Sequence, residues 1–177
     1  MPTYDFSLIY KIPPNIDPNT YLDPLYEAGS DDASIGMGLK GSVSIDFMRE
    51  SESANSAIKS AIEQTKQVIV EGELCYLAPD IVGVRELANY MNCSKQNVQQ
   101  IINANSDFPT PIYGNSNQLW HLNSVLQWLI KKNKSIDDIG LLLETAIWIG
   151  YYNNLKNQQS INMSQATKKD IEQLVCL

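Results

Sequence analysis

The sequence predicts an α+β chain in three stretches, and three observations carry that prediction. Residues 1–80 switch between period-2 and helical apolar spacing in the order β-α-β-β-α-β. Residues 81–134 hold two short helical segments around a turn, then a hairpin punctuated by proline and glycine. Residues 135–177 are helical again and open with a helix that is apolar around much of its circumference.

In the first stretch, Tyr4, Phe6, Leu8, Tyr10 and Ile12 alternate with mostly polar residues, the period of a half-buried strand. Pro13 and Pro14 stop it. Asp17 can cap a helix that opens at Pro18, with Tyr21, Leu22, Leu25 and Tyr26 on one face and Gly29 at its end. Residues 33–38 and 42–48 read as strands joined by a tight turn at Leu39, Lys40 and Gly41, with Val43, Ile45 and Phe47 pointing one way. A helix at 52–68 carries Ala54, Ala57, Ile58, Ala61 and Ile62 at helical spacing, and Leu74 to Leu77 is a last strand ended by Pro79. That order is the ferredoxin-like arrangement.

From Val82 the character changes. Val84, Leu87, Ala88 and Met91 fall at i, i+3, i+4 and i+7, and Asn92 and Cys93 make a turn. Ser94 is placed to cap a helix from Lys95 to Ala104, with Val98, Ile101 and Ile102 as its buried stripe. Phe108 to Tyr113 and Gln118 to Leu122 read as two strands around Gly114 to Asn117. A helix from Ser124 to Lys132 follows, then a long one at 137–154, a polar linker from Lys156 to Met163, and a short helix at 165–176.

Composition narrows the class. Apolar residues at 44% and charged residues at 19% are ordinary globular values and exclude wholesale disorder. The most apolar run, Ile139 to Tyr152, is short and interrupted by Glu144, so no membrane span is expected. The N-terminus has an early Asp5 and no basic stretch before an apolar one, unlike a signal peptide. Cys75, Cys93 and Cys176 are odd in number and form no CxxC, which fits reduced thiols in a cytoplasm better than a disulfide framework or a zinc site.

The net charge of −7 argues at first against nucleic acid, but it is unevenly spread. Residues 1–82 carry five Lys/Arg against thirteen Asp/Glu, a net −8; residues 83–134 carry five against two, a net +3; residues 135–177 carry three against five, a net −2. The middle is the one basic stretch, and local charge governs a local contact.

That stretch also carries the chemistry. With Val98, Ile101 and Ile102 inward, a period of 100° per residue points Gln96, Gln100 and Asn103 most directly outward, flanked by Asn97 and Gln99. Amide side chains pair both a donor and an acceptor with the N6/N7 edge of adenine in the major groove. Ser94 and Lys95, on the first turn, suit a phosphate. Two short helices joined by a three- or four-residue turn form the helix-turn-helix pattern, whose partner is double-stranded DNA. A helical hairpin with a merely polar face is the plain alternative.

The stretch VGVRELANYMNCSKQNVQQIINANSDFPTPIYGNSNQLWHLNSVLQWL resembles the winged helix-turn-helix of MerR/excisionase-type proteins, including prophage AlpA-type regulators. Phe108, Pro109, Pro111, Trp120, Val125, Trp128 and Leu129 match that pattern, and the resemblance covers residues 82–129, which is 48 of 177. It implies DNA binding, with the helix at 95–104 in the major groove and the hairpin tip Asn115–Asn117 on the backbone. Arg85 on the first helix joins the expected contacts. Where such proteins often carry Arg after the wing tryptophan this chain has His121, read here as a wing hydrogen-bond donor. Trp120 and Trp128 are expected as core.

Other signals are discounted. Gly36, Gly38 and Gly41 match G-x-G-x-x-G, but a strand follows Gly41 where a dinucleotide site needs a helix. Asp31 and Asp32 lack further ligands in sequence, so no metal is expected, and no cofactor either. Cys93 reads as a small buried apolar residue. No nucleophile, base and orienting group assemble, so the chain reads as a non-enzymatic regulator of transcription; a protein-protein adaptor is the alternative. The helix at 137–154 is apolar around much of its circumference, which suggests a homodimer through Leu142 and Ile149, or burial between the two preceding units.

Overall fold

The computed structural model describes the chain except residues 38, 39, 115, 116, 135, 176 and 177. It is a mixed α+β structure in which one four-stranded antiparallel sheet supports most of the N-terminal half. The strands are β1 (Thr3–Lys11), β2 (Ala33–Met37), β3 (Ser42–Glu50) and β4 (Glu73–Ala78), in the spatial order β2-β3-β1-β4. β1 pairs with β3 from Thr3↔Glu50 to Lys11↔Ser42, and with β4 from Ser7↔Ala78 to Lys11↔Glu73. A 3-10 turn at Pro18–Tyr21 leads into α1 (Leu22–Glu27), and α2 (Ala54–Val68) crosses between β3 and β4.

Alternation decides which face is buried. Tyr4, Phe6, Leu8 and Tyr10 of β1 and Val43, Ile45 and Phe47 of β3 lie at 2% exposure or less, and Phe6 stacks on Phe47 with ring centroids 5.3 Å apart. Burying each such side chain contributes about 1.5–3 kcal/mol. α2 turns Ala54, Ala57, Ile58 and Ala61 onto this face, and the small alanines let the helix backbone come close. Polar atoms drawn inside are mostly partnered, the buried Tyr21 hydroxyl and Trp128 indole N–H excepted. Tyr10 and Thr65 share a hydroxyl hydrogen bond of 2.8 Å. Arg49 reaches Asp32 through Nε at 2.7 Å and Nη2 at 2.8 Å, and donates through Nη1 to Ser60 Oγ at 2.8 Å. Asp32 is thereby committed to an ion pair. Gly36 lies within β2 and Gly41, at φ +82°, turns the chain into β3; Gly38 and Leu39 are outside the described residues.

The second unit comprises β5 (Ile81–Val82), α3 (Val84–Tyr90), α4 (Lys95–Ala104), β6 (Trp120–His121) and α5 (Leu122–Lys131). Its core gathers Val82, Leu87, Val98, Trp120, Val125 and Leu129. β5 pairs antiparallel with β6, Ile81↔His121 and Val82↔Trp120, a pairing the sequence reading did not contain.

α6 (Ile139–Ser160) explains its own composition. Ile149 is buried in the sheet core with Leu141, Trp148 and Tyr152 packed against it. Ala146 is buried in the second core, and Ile139, Leu142 and Leu143 pack there. Most of the apolar circumference is therefore shared between two cores of one chain, with Ile147 and Tyr151 left exposed, and Leu142 and Ile149, named for a dimer seam, pack inward. Glu144, which interrupts the apolar run, accepts from Ala54 N–H at 2.9 Å and from the Tyr4 hydroxyl at 3.1 Å, so it caps α2 from outside. The Trp148 indole donates to Asn55 Oδ1 at 3.0 Å. α6 continues through the expected linker to Ser160, and α7 (Gln165–Val175) closes the described chain. Among the described residues no helix is long and apolar enough to cross a membrane.

Candidate nucleic-acid interface

α3 starts with the Glu86 carboxylate accepting from Gly83 N–H at 3.0 Å, which satisfies a free backbone donor. It ends in a turn of defined geometry. Cys93 N–H donates to Ala88 C=O at 2.9 Å and Asn92 N–H to Asn89 C=O at 3.1 Å, with Asn92 at φ +47°. That is the Schellman pattern, with asparagine tolerated where glycine is the commoner choice. Ser94 then accepts from Asn97 N–H at 3.1 Å and caps α4 as its residue type promised. At the far end, Asn105 Nδ2 donates to Ile101 C=O at 2.7 Å.

The turn sets the roll of α4. Val98 is buried, with Ile101 and Ile102 half-buried over the core. Lys95, Gln96, Asn97, Gln100 and Asn103 are exposed, as are Ser94 and, on α3, Arg85. Gln99 is half-buried and donates through Nε2 to Asn103 Oδ1 at 3.2 Å, one turn along. The expected contacts on α4 thus share one exposed side of a helix fixed at both ends.

The hairpin differs from the expected pair of strands. Tyr113 and Leu119 form a single bridge, with Ile112 N–H donating to Leu119 C=O at 2.8 Å and Leu119 N–H to Tyr113 C=O at 3.0 Å. Pro109 and Pro111 lack the N–H that a longer ladder needs. Gly114 sits at φ +86°, where an added Cβ would lie 2.3 Å from Asn117 O. Phe108 fixes the base of the hairpin, edge-on to Trp120 at a centroid spacing of 5.7 Å and to Trp128 at 4.9 Å. The Trp120 indole donates to Pro109 C=O at 2.8 Å. Asn117 is exposed; Asn115 lies outside the described residues. Tyr113 is 72% exposed at this anchored hairpin and was not singled out in the sequence, although an aromatic residue beside a Gly-Asn turn was a legible signal.

His121 is placed otherwise than expected. Its Nδ1 lies 2.9 Å from Asp80 Oδ1, so one ring nitrogen is occupied within the chain. Asp80 Oδ2 accepts from Asn153 Nδ2 at 2.9 Å, and the Asp80 C=O accepts from Leu122 N–H at 2.7 Å. Asn153 also clasps Leu77, donating to its C=O at 2.8 Å and accepting from its N–H at 2.9 Å. This junction ties β4, the hairpin and α6 together. The acidic partner of His121 stands 41 residues away in sequence and was invisible there.

Both acids of this stretch are engaged within the chain, which leaves its net charge at +3. Of the two acids in residues 83–134, Glu86 is tied to Gly83, and Asp107 pairs with Lys132 Nζ at 2.9 Å. That hydrogen bond holds the Asp107 carboxyl below the usual carboxylate range. α4 itself carries no acidic residue. Among the described residues no group of three His, Cys, Asp or Glu is placed to hold a metal ion. No family model, curated protein or solved structure matches the chain.

Proposed function

We infer that residues 81–134 are a winged helix-turn-helix that binds double-stranded DNA sequence-specifically, in a chain that regulates transcription. α4 enters the major groove, and the hairpin carrying Tyr113 and Asn117 rests on the adjacent backbone. The N-terminal unit is a ferredoxin-like arrangement, a reading supported by the order β2-β3-β1-β4 with antiparallel neighbours throughout. One observation carries the DNA reading: a helix capped at both ends presents Gln96, Gln100 and Asn103 to solvent on one side, with Lys95 at its N-terminus and no acid among them. Amides held on a rigid element are suited to paired donor-acceptor recognition, whereas solubility alone is served better by lysine or glutamate. Gln96 and Gln100 read adenine edges, and Lys95 and Arg85 bind phosphates. Selection of bound duplexes from a random-sequence pool tests this. A recurrent motif containing A·T pairs is expected; a folded chain that enriches no motif is instead an adaptor.

A further inference from the structure

From Asn154 to Val175 no described side chain is buried, although α6 runs on to Ser160 and α7 occupies Gln165–Val175. Ser164 caps α7, its hydroxyl accepting from Thr167 N–H at 3.2 Å. The two helices meet across an open cleft lined by Ile161, Met163, Ile171 and Val175, with Lys168 and Glu172 beside them. A helix of 11 residues is marginal in water on its own. Here its apolar side chains cover almost nothing: Leu174 is 69% and Val175 80% exposed.

We propose that this helical hairpin is a two-fold seam with a second copy of the chain, α7 lying antiparallel to its counterpart. Two observations select a second copy over another partner. Wholly covered, the exposed surface of Leu155, Ile161, Ile171, Leu174 and Val175 gives at most roughly 500 Å² per copy, so a pair can just reach the ~1,000 Å² that a specific interface has to clear. Lys168 and Glu172 lie one turn apart along the same cleft, so a partner of one charge sign would attract one and repel the other. An antiparallel second copy satisfies both, because each Lys168 meets the partner's Glu172. The seam thus lies beyond Leu142 and Ile149, which the chain uses itself. It holds whether or not α4 contacts DNA.

Sedimentation of the full chain over a wide concentration range tests the seam. A self-association with Kd on the order of tens of micromolar is expected from an interface this small. Lys168→Glu and Glu172→Lys should each raise that Kd about tenfold through like charges across the seam. An equimolar mixture of the two variants should recover the parental affinity, since each then offers the charge the other lacks. A role confined to one chain gives no recovery on mixing. Leu174→Glu should also yield a monomer whose main thermal transition is unchanged, as Leu174 belongs to neither core. A parent that stays monomeric at several hundred micromolar, or a mixture as weak as its components, overturns the proposal.

Discussion

The sheet unit and the unit around α4 use their polar side chains in opposite ways. In the first, Arg49, Asp32 and Ser60 are joined by hydrogen bonds and Tyr10 meets Thr65. In the second, the acids and the indole of Trp120 are tied down, yet Gln96 and Gln100 make no side-chain hydrogen bond among those of the described residues. Inward-turned polarity stabilises a fold. Outward, unengaged polarity on a rigid helix is available to a partner, and the proposed role of α4 rests on this contrast.

The contrast is broken most strongly at the base of the hairpin. Trp120→Ala removes the fully buried ring that Phe108 packs against and the indole bond to Pro109, and should cost about 3–5 kcal/mol in chemical denaturation. An unchanged midpoint would mean that the second core does not depend on this ring. Next comes the junction between the units. Asn153→Ala leaves the Leu77 N–H and C=O and Asp80 Oδ2 without their Asn153 partner, and should cost about 2–3 kcal/mol. Hydrogen exchange should then report earlier opening at β4 and β6 together.

The site itself is probed more gently. Gln96→Ala and Gln100→Ala should each cost about 1–3 kcal/mol on the preferred duplex and relax its sequence preference. Lys95→Ala should weaken all duplexes alike and remove about 0.9 from the slope of log K against log salt. Amide variants that bind like the parent would place base reading elsewhere.

The smallest effect lies on the sheet face away from α2. Partial burial, and then the nearby Asp46, raise the Asp5 carboxyl above its ordinary value. A raised folded pKa means stability is fullest below the unfolded value of about 3.9 and is lost as pH rises through the folded value. Asp5→Asn should therefore stabilise the chain at pH 7 by a few tenths of a kcal/mol after solvent screening, and add nothing at pH 3. A gain equal at both pH values would remove charge as the cause.

How much of this was legible in the letters depended on distance along the chain. Tyr4 to Ile12 and the Ser94-capped helix are local patterns, and the structure places them within a residue or two of where periodicity and capping put them. Local chemistry also sufficed for Gly114 and the buried Trp120. What escaped is non-local. Two-residue strands such as β5 and β6 have no period to detect, and Ile81 meets His121 only through the fold. The Asp80–His121 contact and the Glu144 cap on α2 span 41 and 90 residues, beyond any spacing rule. α6 showed its apolar excess plainly, but whether one chain or two would cover it required the position of the sheet. The short hairpin was readable: Pro109 and Pro111 already excluded a full ladder.

The central claim, sequence-specific reading of duplex DNA by α4, is met most directly by one comparison. Affinity of the full chain is measured at about 0.15 M salt for the duplex recovered by selection and for a scrambled duplex of equal composition. The account predicts a ratio of at least about 10³ in favour of the selected duplex. Equal affinity for the two duplexes, or no binding to either by a folded chain, would contradict it.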